Sequence, residues 1–425
     1  MTLVIVIVAL LALMFSGLPV AFSLAGLGTL MLVAKDLPLV MVAQNLFGAI
    51  DNFVLLSVPL FLLMSNILLK GGVGRDLFDA VQSWVGHWPG GLGVAALLSC
   101  GMFSAISGSS VATAATVGAV AIPEMTKRGY SKSFTLGLLA AGGTLGILIP
   151  PSIPLIVYGV ITEESIGKLF LAGIGPGLLL IVLFSIYAVV YAILNKDTQI
   201  PLPKANWEQR RKSSVRAIPT LVLAAIMVGG IYNGIFTPTE AAAVGAVVAF
   251  ILTAFVLRTM NLQLFMEAVR QTVSTTVVLF LVVIGAKIFG KAVTLYQVPA
   301  QVSQLFDTHA ATAGMFLLIV AAILLFIGLF LESLSMLLIM VPVLLPSVIA
   351  LGVDPIWFGI FFVVLIEVAL ITPPVGLNLF VIQAVAQSPL GVVIRGVSPF
   401  IVLMLLSVIA LWAFPDLVLY IPFKL

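Results

Sequence analysis

The stretch GILIPPSIPLIVY, from Gly146 to Tyr158, is apolar enough to lie in a bilayer and yet carries Pro150, Pro151 and Pro154. A proline inside a helix removes one backbone donor and clashes with the preceding turn, at a cost of roughly 3 kcal/mol or more. Lipid supplies no water to repair the loss, so broken backbone persists only against protein or a water-filled cavity. The pattern returns in ALITPPVGLNLFV, from Ala369 to Val381, around Pro373 and Pro374. A fold for this chain must therefore bury two interrupted helices.

That the chain lies in a membrane follows from its composition. Of 425 residues, 62% are hydrophobic and only 8% charged, and the mean hydropathy is +1.29. Soluble domains are about half apolar and about a quarter charged. Runs such as Leu178–Leu194 and Ala217–Gly230 cover most of the ~20 helical residues that a span needs. The single Cys100 excludes an intrachain disulfide and a cysteine metal site. His87 and His309 are far apart and sit in no metal motif. No P-loop, HExxH or GxSxG is present, so ATP-driven transport and intramembrane proteolysis have no sequence handle, and no enzyme activity is expected. MTLVIVIVALLALMF lacks a basic start and a small-residue cleavage site, and reads as a retained first span.

The two proline motifs belong to a longer repeat. At an offset of 223 residues, the separation of Pro150 and Pro373, Phe103 pairs with Phe326, Pro123 with Pro346, Gly129 with Gly352, Gly173 with Gly396 and Pro176 with Pro399. Nearer the N-terminus an offset of 219 pairs Pro19 with Pro238 and Gly26 with Gly245. Basic residues give the relative orientation, because cytoplasmic flanks collect Lys and Arg. The polar segment Asn195–Arg216 carries six basic residues and two acidic ones, and TKRGYSK carries Lys127, Arg128 and Lys132. The equivalent of TKRGYSK, around Gly352, holds only Asp354. Equivalent loops on opposite faces mean an inverted repeat.

The small-residue segment Leu92–Met125 starts and ends on one face, which predicts a re-entrant hairpin with its tip near Ser107–Ser110. Its counterpart runs from about Thr312 to Ser347, with its tip near Glu332. Before the first hairpin, Val73, Leu77, Val81, Trp84 and Trp88 form a helical stripe. The stripe suits either an interfacial helix or a helix packed on the bundle. The expected fold is an all-α polytopic membrane protein with ten full spans, two re-entrant helical hairpins and two broken helices. Both termini then lie outside, and fourteen of nineteen basic residues fall at the cytoplasmic face.

Inverted repeats with interrupted helices characterise secondary transporters, whose sites lie where the breaks meet. A break frees carbonyls for a cation and exposes helix N-termini to an anion. Ser104, Ser107, Ser109, Ser110 and Thr113 crowd the first tip, while Thr372 and Asn378 flank the second break. Hydroxyls plus carbonyls suit a hard cation such as sodium; taken singly, a serine here also serves close helix packing. Glu332 and Glu367 are intramembrane acids, and the offset pairs them with Ser109 and Thr144.

SGSSVA followed by IPEM, then IPPSIPLIVYG, IMVPVLLP and above all TPPVGLNLFV, resemble the large membrane subunit of tripartite ATP-independent periplasmic (TRAP) transporters over essentially the whole chain. The family pattern often has Asp where Glu332 stands. The resemblance implies an ion-transporter-superfamily fold of elevator type and a sodium-driven importer of organic acids, C4-dicarboxylates or sugar acids such as sialic acid, in the bacterial inner membrane. It implies a first sodium site at Ser104, Ser107, Gly146 and Ile149, and a second at Gly328, Glu332, Ser335, Thr372 and Gly376. Candidate substrate contacts are Ser109, Ser110, Pro150, Pro151, Ser152, Pro373, Pro374 and Asn378. The implied partners are a small four-span membrane subunit and a soluble periplasmic binding protein. The small subunit is not expected to be fused at the N-terminus. Sodium is the coupling ion, no other cofactor is expected, and neither is nucleic acid. Residues 92–176 and 312–399 would form the transport domain, and 1–91 with 177–311 the scaffold, residues 400–425 completing the last span and the tail. The alternatives are a stand-alone divalent-anion/sodium symporter and, from another class, a channel or structural membrane subunit.

Overall fold

The computed structural model describes residues 2–195, 200, 202–301 and 312–424. His309, residues 196–199 and 201 of the polar segment, and most of the stretch before the second hairpin lie outside the described residues. Those described form helices and connecting turns, with no strand among them. In chain order the first repeat holds α1 (Thr2–Phe15), α2 (Val20–Val33), α3 (Val40–Ile50), α4 (Ser57–Lys70) and α5 (Val73–Val85). It continues with α6 (Gly91–Ser107), α7 (Ser110–Lys127), α8 (Lys132–Leu148), α9 (Ile153–Thr162) and α10 (Ile166–Leu194). The second holds α11 (Trp207–Tyr232), α12 (Pro238–Ile251), α13 (Leu262–Leu295), α14 (Ala313–Ile327) and α15 (Ser333–Ala350). It ends with α16 (Pro355–Leu370), α17 (Leu377–Ala386), α18 (Leu390–Ala413) and α19 (Asp416–Lys424).

Local signals repeat with the sequence. Gly129 at φ +80° and Gly352 at φ +68° turn the chain out of α7 and α15 through the left-handed region. Two residues on, Ser131 accepts from Phe134 N at 3.2 Å to cap α8. Its equivalent Asp354 accepts from Trp357 N at 2.9 Å to cap α16. Both proline pairs contain a cis peptide bond, Pro150–Pro151 and Pro373–Pro374.

The packing repeats as well. α2 lies on α13 and, with the roles of the repeats exchanged, α12 lies on α4. Likewise α7 packs on α17 and α15 on α9, while α8 packs on α18 and α16 on α10. The second arm of each helix pair therefore rests on the second half of the broken helix of the other repeat. This interlock buries the first break at Pro150, Pro151 and Ser152, whereas at the second Pro373 is half-buried and Pro374 exposed.

Polar contacts sort the loops into two ends. At one, Ile200 N donates to Arg128 O at 2.9 Å, Tyr191 Oη to Ser131 Oγ at 2.9 Å, and Lys70 pairs with Glu267 at 3.0 Å. At the other, Lys35 Nζ donates to Leu295 O at 2.5 Å, Tyr158 Oη donates to Pro355 O at 2.5 Å, and Lys168 lies over the Phe423 ring. The base-rich loops thus share one end of the molecule.

Three details differ from the sequence expectation or sharpen it. Eight helical stretches among the described residues are long and apolar enough to cross a membrane. α1 and α2, counted among ten full spans, have 14 residues each, about 21 Å against a hydrocarbon core of ~30 Å. Gly17 at φ +84° separates them, with Pro19 as the N-cap of α2. The second half of the base-rich segment is helical, because Asn206 and Gln209 cap α11 reciprocally at 2.8 and 3.1 Å. Finally, α5 packs its stripe on α6 and α11, burying Val73, Leu77 and Val81. There Asp76 reaches Arg216 at 4.0 Å; burial still lifts its carboxyl above the ordinary range, against the pull of Arg216 and Arg75.

The tightest crossing is α8 on α18. A Cβ on Gly396 would meet the Ser133 carbonyl, and one on Gly137 the Gly396 backbone; Ser133 Oγ also donates to Val392 O at 3.0 Å. Gly396→Ala should lower the stability of the solubilised protein by about 1–3 kcal/mol. Gly391→Ala, with nothing within 4 Å of the added carbon, should leave the thermal midpoint unchanged.

Candidate functional site: two breaks and two hairpin tips

The first tip closes on the first break through backbone contacts. Gly108, at φ +61°, turns the chain between α6 and α7, and a Cβ there would lie 2.6 Å from Pro151 O. Gly146, in the last turn of α8, leaves no room for a Cβ against the Ser109–Ser110 peptide. Ser109 caps α7, accepting from Ala112 N at 3.3 Å. Ser152 caps α9, accepting from Leu155 N at 3.4 Å. Two helix N-termini thus start at the same place, where tip and break touch.

Hydroxyls fill the junction. Ser107 Oγ and Thr113 Oγ1 lie 2.9 Å apart, and Thr113 Oγ1 donates to Ser109 O at 2.9 Å. Ser104 Oγ donates to Cys100 O at 2.6 Å, which leaves its lone pairs free. Ser104, Ser107, Ser110, Thr113 and Ser152 are buried. Ile149 follows α8 directly and points away, its side chain against Gly177 and Gly101.

The second constellation differs in chemistry. Glu332 occupies the N-cap position of α15, as its equivalent Ser109 does in α7, and Oε1 accepts from Ser335 Oγ at 2.9 Å. Gly328 packs against Ala369 just before the break, which brings this tip region to α16. Thr372 Oγ1 donates to Val368 O at 2.6 Å. Pro373 and Pro374 form the break, and Gly376, at φ +43°, starts α17.

Asn378 does not stay with the second tip. Its side chain is fully buried and Nδ2 donates to Ala140 O, on α8 of the other repeat, at 3.5 Å; Oδ1 has no partner among the described residues. Glu367 is 1% exposed and neither carboxylate oxygen has a partner among them. Its equivalent Thr144 is satisfied, donating to Ala141 O at 2.6 Å. Sequence reasoning misses Tyr158, whose ring fills the space beside Gly359 and whose hydroxyl holds α16. A lone tyrosine in an apolar run gives no signal of such a contact. Among the described residues no group of three His, Cys, Asp or Glu could hold a metal ion, so the oxygen donors here are hydroxyls, carbonyls and isolated acids.

Repeated interlocking helix pairs and broken helices define a transporter fold of the membrane. The crystal structure of the YdaH transporter of Alcanivorax borkumensis shares it, with a TM-score of 0.66 at 15% identity, over 90% of this chain and 88% of that one. Residues 7–417 match the DctM component of tripartite ATP-independent periplasmic transporters. The chain is 40% identical over 402 residues to the C4-dicarboxylate TRAP transporter large permease protein DctM of Pseudomonas aeruginosa, covering 95% of this chain and 93% of the relative. It is 38% identical over 413 residues to the sialic acid TRAP transporter large permease protein SiaM of Vibrio cholerae, covering 97% and 96%. The chain belongs to the DctM family of TRAP transporters, a family of multi-pass membrane permeases and not of enzymes.

Gly108→Ala forces a side chain into the left-handed region and against Pro151. It should cut initial uptake by the reconstituted transporter about tenfold, as a misplacement worth ~1.4 kcal/mol in the transition state would. Gly352→Ala carries the same backbone strain in open space and should transport normally in the same assay.

Proposed function

We propose that this chain is the permease subunit of a sodium-coupled importer of organic acids, with the ions bound at the two tip-and-break junctions. The observation that carries the reading is the first junction. Buried hydroxyls with free lone pairs, a helix end with free carbonyls and two helix N-termini meet there in a membrane-embedded core. Sodium suits neutral oxygen donors, and an anionic substrate suits helix N-termini. Ser104, Ser107, Gly146 and Ile149 would serve the first ion, Ile149 through its carbonyl because its side chain points elsewhere. Gly328, Glu332, Ser335, Thr372 and Gly376 would serve the second. Ser109, Ser110, Ser152, Asn378 and the two proline pairs would face the substrate. Relatives named for C4-dicarboxylates and for sialic acid support an organic acid.

In this reading the hairpins and broken helices, residues 92–176 and 312–399, move as one body against the remaining scaffold helices. The hairpins are re-entrant, the repeats inverted, and the base-rich end faces the cytoplasm by the distribution of Lys and Arg. The chain works with a small membrane subunit and a periplasmic binding protein. A divalent acid entering with two sodium ions is electroneutral. A monovalent acid with two ions also draws on the membrane potential, about 2.3 kcal/mol per charge at 100 mV.

Ser107→Ala and Thr372→Ala should each raise the sodium concentration for half-maximal uptake severalfold, by about 1 kcal/mol of lost oxygen contact. Substrate affinity at saturating sodium should change less. Uptake measured against sodium at fixed ionic strength tests this. An unchanged sodium dependence in both variants, or equal uptake on a proton gradient alone, refutes the assignment. For orientation, the exposed Lys212→Cys should resist an impermeant thiol reagent in spheroplasts, and the exposed Lys168→Cys should react. The opposite labelling pattern would reverse the topology.

A further inference from the structure

Two side chains tie the broken helix of one repeat to that of the other, and each stands on the second half of its own broken helix. Tyr158, on α9, donates its hydroxyl to Pro355 O, on the first residue of α16, at 2.5 Å. The side chain is fully buried, and a Cβ on Gly359 would come within 2.6 Å of its ring. Asn378, on α17, reaches Ala140 O on α8 with Nδ2 at 3.5 Å, a longer and weaker contact, and is buried as completely. The repeat relates α9 to α17 and α16 to α8. The two contacts therefore join the same kinds of element with the roles of the repeats exchanged. The residues themselves are not equivalent: at the offset of 223, Tyr158 falls on Val381 and Asn378 on Leu155.

We propose that Tyr158 couples the two breaks, so that a sodium ion held at one favours the ion at the other. The inference rests on the two-ion reading above and adds to it a residue outside both ion sites. The two contacts close a ring: α8, the first break, α9, the Tyr158 contact, α16, the second break, α17, the Asn378 contact and α8 again. The two long helices of the ring are stiff. α16 is buried at every position after Pro355, and α8 at every position from Phe134 to Leu148. Close-packed interiors transmit a displacement and do not absorb it. The soft points are the breaks, where helical hydrogen bonds are missing. An ion that draws carbonyls together at one break changes the angle between its half-helices, and a closed ring passes that change to the other. Tyr158 lies about 8 Å along α9 from its first residue. It acts on the first junction through the placement of α9, and is a positioning residue.

A buried tyrosine hydroxyl needs an acceptor wherever it lies. That need explains one contact. It does not explain why a residue of another type makes the reciprocal contact in the other repeat, where the offset supplies no tyrosine. Nor does filling space require the hydroxyl, since Phe61, Phe103, Phe184 and Phe358 are buried as fully without one.

The test uses the full chain, purified for sodium binding by calorimetry and reconstituted as the transporter for initial uptake, both at fixed ionic strength. The parent protein should bind two sodium ions with a Hill coefficient above one, the ceiling being about two for two coupled sites. Tyr158→Phe keeps the ring and removes the hydroxyl. It should bring the Hill coefficient to about one and raise the half-saturating sodium concentration about fivefold, the lower end of couplings between sites. Gly359→Ala keeps the hydroxyl, displaces the ring and should do the same. Tyr420→Phe, at an exposed ring on α19, should change neither value. A lowered thermal midpoint in Tyr158→Phe with both sodium values unchanged marks a contact for stability alone and overturns the proposal. The same fall in the Hill coefficient in Tyr420→Phe overturns it as well. Two ions bound by the parent protein with a Hill coefficient of about one would remove the coupling and leave the two-ion reading in place. Fewer than two ions bound would remove that reading itself.

Discussion

A backbone N–H or C=O that loses its helical partner inside a bilayer finds no water to replace it. The architecture can be followed from that one constraint. Two apolar helices are interrupted by proline pairs, and each interruption leaves polar backbone with nothing to bond to within its own helix. The chain covers the first break with the hairpin tip of the same repeat and lays the second half of each broken helix against a hairpin arm of the other. Ser109 and Ser152 take the helix N-termini as caps, and Gly108 and Gly146 allow the close approach. With bulkier residues at those glycines the tip could not reach the break. A polar junction inside the membrane is thus a consequence of satisfying the backbone, and a site for ions or anions uses what that packing leaves behind.

Much of this is legible in the sequence because proline and glycine carry backbone meaning that apolar residues do not. The proline pairs locate the breaks, and their common offset locates the repeat. Gly129 and Gly352, equivalent in sequence, share a left-handed conformation, and Ser131 and Asp354 share a capping role. Less is legible where the outcome depends on tertiary neighbours. Tyr158 and Gly359 interlock through a ring and an empty space, neither of which has a local pattern. Asn378 follows the second break, yet its amide reaches across to α8, which no periodicity could say. Helix length is a further limit: apolar runs fix that α1 and α2 are membrane-embedded, but Gly17 and Pro19 separate two 14-residue helices. The capping pair Asn206 and Gln209 was readable in principle and is masked by the charge around it.

The repeats share backbone and differ in side chains. The position that is Ser109 in one is Glu332 in the other, and Thr144 answers to Glu367. A serine cap needs only backbone N–H groups, and at Ser109 it finds one. The carboxylate at the same helix position accepts from the Ser335 hydroxyl. Thr144 closes its hydrogen bond on its own helix, whereas neither carboxylate oxygen of Glu367 has a partner among the described residues. The internal symmetry is therefore one of fold, and the second repeat carries Glu332 at its tip and Glu367 before its break where the first carries hydroxyls.

Burial is just as uneven, and this bears on any movement of the hairpins. α6 is buried along nearly its whole length, against α4, α5, α8 and α10. α14 is buried mainly along the stripe of Phe316, Val320 and Leu324, and leaves Met315, Leu318 and Phe326 exposed. Uncovering the first tip would separate apolar surfaces packed on several sides, at about 25 cal/mol for each Å² exposed to water. Uncovering the second tip would disturb fewer intrachain contacts, since much of its hairpin already faces outward. The first hairpin is thus the more firmly packed of the two in this structure. Among the described residues the second hairpin is held by less of the chain's own packing.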